Sequence, residues 1–213
     1  MDFKEAMGIL YKGFLYQLVV ISALVAISFA LLLSALFVSP AAIAAAGFVV
    51  IALLIALLLI FFLYLFRGYR ALHMLGFRWA WWLAWGPVAL MVLVAIFAAA
   101  LVMYLRGHPV VAAHVRIDPT YIYRVMLGTP ALLGIFAVLQ AAYLLLVAAR
   151  AITLNDLRRH SKVGLFGVAL ILLLIGYPLS LVPLANYVGG LVLLAEYIAE
   201  MLAYREAARV APP

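Results

Sequence analysis

The chain contains no cysteine. Disulfides, thiolate catalysis, iron–sulfur clusters and cysteine zinc sites are excluded with it. Charge is scarce as well. Only 10% of the 213 residues are Asp, Glu, Lys or Arg, whereas soluble domains carry roughly 25%. Hydrophobic residues make up 71% of the chain and the mean hydropathy is +1.31. Too few polar side chains are present to cover a water-facing globule, so the solvent of this protein must be partly lipid. Nucleotide-binding loops, nucleophile triads and paired catalytic carboxylates are also missing from the pattern. The expectation is a protein that is not an enzyme and holds no cofactor.

What the chain has in quantity is long apolar runs. A helix rises about 1.5 Å per residue, so crossing about 30 Å of hydrocarbon takes about 20 apolar residues. Six runs meet that need, at about 14–38, 41–66, 80–105, 125–149, 163–182 and 184–204. The predicted fold class is therefore all-α, a polytopic transmembrane helical bundle in a single membrane domain. Ser39-Pro40 separates the first two runs, and Pro178 and Pro183 bracket a tight connection between the last two. Gly86-Pro87 predicts a kink early in the third run. Trp79, Trp81, Trp82 and Trp85 cluster where that run begins, as expected of a headgroup interface.

The basic residues orient the bundle. Of the 14 lysines and arginines, only Arg106, Arg116 and Arg124 fall on one side of the six-span arrangement. The others lie at the two termini and in the stretches after the second and fourth runs. By the positive-inside rule this predicts a cell-membrane protein with both termini cytoplasmic and the loop 106–124 outside. The net charge of +7 is then a topology signal and not a nucleic-acid signal.

There is a hint of internal repetition. Arg70-Ala-Leu precedes Gly86-Pro-Val-Ala-Leu, and Arg150-Ala-Ile precedes Gly167-Val-Ala-Leu at almost the same spacing. Spans two–three and four–five could be parallel copies, although apolar helices also resemble one another by composition. Gly8-Ile-Leu-Tyr-Lys-Gly13, the Arg70…Gly76 turn and the Pro183…Gly189-Gly190 stretch together resemble an uncharacterised archaeal integral-membrane family, a domain of unknown function. That resemblance implies a polytopic membrane fold and carries no activity or site residues with it.

Ionisable groups inside a bilayer are costly and are functional candidates by default. Glu196 and Glu200 lie four apart in the sixth run, on one helical face. Glu200 is close enough to the span end to reach the headgroups or pair with Arg205, whereas Glu196 lies deeper. Glu196 could bind a proton or cation. Alternatively it could hydrogen-bond to Gln140 or Tyr143, or touch a partner subunit. Gln140 and Asn186 are further buried polar candidates, more suited to tying helices together than to binding.

The histidines His73, His108, His114 and His160 fall in predicted loops, which disfavours an intramembrane haem. His108, His114 and Asp118 fall short of a zinc set. Arg67, Arg70, Arg78, Arg158, Arg159 and Lys162 would face an anionic leaflet and contact its lipids. Ala42, Ala44, Ala46 and Gly47, Gly164 and Gly167, and Gly189-Gly190 are candidate helix-packing residues.

Two functions compete. One is a structural or accessory subunit, whose partners are membrane lipids and either other membrane protein subunits or further copies of itself. The other is a small proton- or ion-coupled transporter or channel using Glu196. A haem- or quinone-associated anchor is a third, weaker alternative.

Overall fold

A backbone surrounded by hydrocarbon has to satisfy its own N–H and C=O groups. Among the described residues this chain does so with helices and no strands. The computed structural model describes residues 1–34, 40–108, 128–182 and 185–210, together with Val111, Tyr121 and Val125. The side chains of 28, 29, 31–34 and 40–47 are outside the description. So are Ser39, Pro183 and most of the predicted outer loop, including His114, Arg116, Asp118 and Arg124.

Among the described residues the helices are α1 (Phe3–Ser34), α2 (Pro40–Ile60), α3 (Phe66–Met74), α4 (Ala80–Gly107), α5 (Pro130–Ser161), α6 (Leu165–Leu181) and α7 (Asn186–Val210). A π-helical turn, Phe61–Leu65, joins α2 to α3 without a break. Among the described residues, five helical stretches are long and apolar enough to cross a membrane: Phe3–Ile27, Phe48–Met74, Ala80–Gly107, Pro130–Ser161 and Asn186–Val210. The sixth apolar helix, α6, has 17 residues, or about 26 Å of rise.

Several helices outrun the apolar segments that predicted them. Asp2 caps α1, its Oδ1 accepting the Glu5 N–H at 2.6 Å, so the helix starts 11 residues before the apolar run expected at 14. The stretch Arg67–His73 is α3 and not a loop, and Arg150–His160 is the continuation of α5. Each polar stretch keeps its helical hydrogen bonds because the apolar helix before it supplies the nucleus.

Local chemistry then ends these helices. At α3, Gly76 takes φ +101°, its N–H donates to the His73 carbonyl at 3.0 Å, and the Phe77 N–H donates to Leu72 at 3.1 Å. This is a Schellman cap. At α5, Lys162 adopts φ 59°, and the Ser161 hydroxyl bonds the Leu157 carbonyl at 2.7 Å. Pro87 and Pro178 both lie inside helices, α4 and α6.

The chain forms two compact units, one of residues 1–84 and 151–213, the other of residues 85–150. In the smaller unit Gly86 lies against Leu146, and Phe97 pairs with Phe136 at 6.2 Å between ring centroids. One number rises as the other falls, so these parts of α4 and α5 run antiparallel.

The larger unit holds most of the buried side chains. α1 packs on α2, the π turn, α3 and α7, and α6 packs on α7. Two leucine–glycine contacts lock α1 to the α2–α3 rod. Leu65 lies over Gly13, and Leu10 lies over Gly68; an added Cβ would meet either leucine at 2.6 Å. The π turn makes this possible. Its extra residue turns the following helix by about 100° relative to an unbroken α-helix. Phe62 and Leu63 before that turn completes are exposed, whereas Gly68, Tyr69, Ala71 and Leu72 after it are buried.

Backbones approach most closely in the α6–α7 hairpin. A Cβ on Gly189 would meet the Leu179 carbonyl carbon and the Ser180 Cα at 2.7 Å. Gly190, Gly8 and Gly164 face open space. The packing role predicted for both glycines of the pair therefore belongs to Gly189 alone.

Candidate functional site

The most polar part of the interior is built on α7. Glu196, Glu200 and Tyr204 recur every four residues and so share one face. All three are sealed, at 1%, 0% and 0% exposure. The Tyr204 hydroxyl donates to Glu200 Oε1 at 2.7 Å and is in hydrogen-bonding contact with Tyr69 of α3. Aromatic rings wall it in. Phe14 of α1 and Phe166 of α6 lie 5.3 and 5.4 Å from the Tyr204 ring. One residue round the helix from Glu196, the Tyr197 hydroxyl lies 3.1 Å from the Phe14 carbonyl and 3.0 Å from Gln17 Oε1. The network therefore ties α7 to both α1 and α3.

Three sequence expectations change on this geometry. Glu200 does not reach towards the headgroups. It is fully buried because α1, α3 and α6 all bring rings onto its end of α7. Arg205 is exposed and sits over Tyr11, 5.9 Å from the ring centroid, instead of meeting Glu200. Asn186 is exposed at the start of α7, since the helix begins there. Gln140 is half-buried and Tyr143 exposed on the α5 part of the smaller unit.

Sequence reasoning missed Gln17, Tyr69, Tyr197 and Tyr204. The available signal was periodic: Tyr204 continues the Glu196–Glu200 spacing by one further turn.

The predicted basic residues Arg67, Arg70, Arg78, Arg158, Arg159 and Lys162 are all exposed, at the ends of α3 and α5 and the approach to α4. His73 and His160 lie on helices and not in loops; His73 Nδ1 is buried with no hydrogen-bond partner. His108 stacks on Tyr104 at 4.2 Å, its Nδ1 2.9 Å from the Tyr104 carbonyl. Among the described residues no three His, Asp or Glu side chains come together as a metal site.

An open cleft of about 410 Å³ lies where the α3–α4 turn meets the end of α5. Leu75, Gly76, Phe77, Asp156, Arg159 and His160 line it. The chain matches no family model, no curated protein and no solved structure.

Proposed function

We propose that this chain is a multi-pass membrane protein with both termini in the cytoplasm. We further propose that it acts as a structural or accessory subunit, its apolar helix faces docking on other membrane proteins. The observation carrying this reading is where burial stops. In the most apolar stretch of α4 no residue is buried, and Phe48, Met103 and Leu191 are each about 70% exposed. Faces this apolar need lipid or another membrane protein to cover them. The only charged side chains deep inside the apolar runs are Glu196 and Glu200, which leaves little for a solute pathway to use.

Gentle detergent extraction followed by mass measurement tests the subunit role. The expected result is a particle heavier than the 23.3 kDa chain plus its detergent, containing other membrane proteins. A monodisperse lone monomer would refute it.

The sealed carboxyl pair favours a second reading, proton or cation handling at Glu196. Under it, Glu196→Gln reconstituted in liposomes should abolish a pH- or cation-driven flux that the native chain supports. Equal flux in both would dismiss that role for the Glu196 charge.

A further inference from the structure

Of the features left over, the cleft beneath the α3–α4 turn carries an inference furthest. Its chemistry is mixed in a specific way. Arg159 offers a guanidinium fork suited to two oxygens of a phosphate. His160 offers at least one ring N–H beside it. Asp156, on the preceding turn of α5, offers acceptors only. Arg159 and Asp156 take no part in an ion pair or side-chain hydrogen bond with any described residue. Both are therefore available to a ligand.

His160 is held in place. Its ring lies 5.0 Å from Phe3 at the start of α1 and 5.4 Å, edge-on, from Phe77 at the start of the cleft's other wall. Gly76 opens the mouth, with nothing within 4 Å of where a Cβ would sit. Met74 and Leu75 expose apolar surface beside it, and Trp81 and Trp82 stand exposed just beyond the same turn.

The end of α5 also faces this region, and its last carbonyls carry about half a negative charge. Three exposed cationic side chains at that end, Arg158, Arg159 and Lys162, outweigh it.

We infer that this cleft binds the headgroup of an anionic phospholipid, its phosphodiester held by Arg159 and His160. Asp156 would repel a bare phosphate. It favours a headgroup that also presents a hydroxyl, which it can accept as a hydrogen bond. The exposed Met74 and Leu75 then meet the upper part of the acyl chains. The inference rests on the membrane reading above, because only there do the tryptophans and the apolar rim stand at headgroup level.

The test uses the full chain in mixed vesicles of phosphatidylcholine and phosphatidylglycerol, followed by extraction and native mass spectrometry of the retained lipid. The native protein should keep phosphatidylglycerol in preference to phosphatidylcholine. Arg159→Gln should lower that retention about tenfold, the usual weight of a charged hydrogen bond. Arg209→Gln removes the same charge from the exposed last turn of α7, outside the cleft, and should leave retention unchanged.

Equal retention by Arg159→Gln and the native protein would overturn the assignment. So would an equal loss in Arg209→Gln, which would mean diffuse attraction without a site. In a second arm, inorganic phosphate and glycerol phosphate are added to the detergent-solubilised protein. Tight binding of either, with no lipid preference, would mean a site for a soluble phosphoester and would also overturn it. Failure of the membrane reading is distinguishable, because the chain would then remain soluble without detergent.

Discussion

At the scale of single residues, the interior is decided by one hydroxyl. Tyr204 is fully buried and its hydroxyl donates to a carboxyl that is itself sealed from solvent. Removing that donor while keeping the ring leaves Glu200 short of a hydrogen bond in a place where water cannot replace it. Tyr204→Phe should therefore destabilise the protein by about 1–3 kcal/mol, read as a lower thermal midpoint in detergent. Tyr187→Phe, on the same helix but 87% exposed, should leave the midpoint unchanged. Only the two carboxylates of this site could be read from the sequence. Two glutamates in an apolar run announce themselves, since each is costly there. Tyr204 does not, because a tyrosine at a span end reads equally well as an interface anchor. Only its four-residue spacing from Glu200 distinguishes the two. Gln17 and Gln140 were indistinguishable as polar residues within apolar runs. Gln17 lies against α7's polar face, and long-range packing alone brings it there.

At the scale of elements, apolar runs located the helices but not their ends. Hydropathy reports where lipid contact stops, whereas a helix continues until a cap or a left-handed residue stops it. Gly76 and Lys162 mark those stops here, well past the apolar boundary. The π turn left no trace in the residues Phe61–Leu65, which are as apolar as their neighbours. Its function is one of phase, and phase can be tested by deletion. Removing one residue from a π turn restores a plain α-helix while keeping the orientation of both flanks. Deleting Leu63, which is 55% exposed, should thus yield a folded protein with Gly68 still against Leu10. Deleting Leu202 from α7 has no bulge to absorb it. It turns Tyr204 about 100° away from Glu200 and should abolish folding. Purification of both variants with size-exclusion profiles would check the contrast. Loss of the Leu63 deletion alone would contradict the role given to the π turn.

At the scale of the whole molecule, burial and charge are distributed together. The buried side chains of the larger unit cluster on the polar-tipped ends of the helices, from Ala6 to Phe14, from Leu65 to Ala84, from Leu154 to Leu173 and from Ala199 to Ala207. The remaining lengths are mostly apolar and exposed or half-buried, with Gly176, Gly189 and Glu196 the buried exceptions on α6 and α7. Helices in lipid gain nothing hydrophobic by meeting one another, so close packing is expected where small residues, rings and hydrogen bonds gather. The larger unit also carries 10 of the chain's 14 lysines and arginines, and under the orientation proposed above the positive-inside rule puts the packed end in the cytoplasm. The lack of cysteine makes this assignment directly testable, since any introduced thiol is unique. Lys162→Cys lies exposed beyond the end of α5, and His108→Cys lies exposed just beyond α4. Both sites are exposed beyond the helix ends, and His108→Cys gives up only the ring's surface contacts with Tyr104. In intact cells an impermeant maleimide should label His108→Cys and leave Lys162→Cys unlabelled until the membrane is opened. The reverse pattern would invert the bundle and separate the basic cleft from the cytoplasmic leaflet. Equal labelling of both from outside would mean that no bilayer stands between the two ends of these helices.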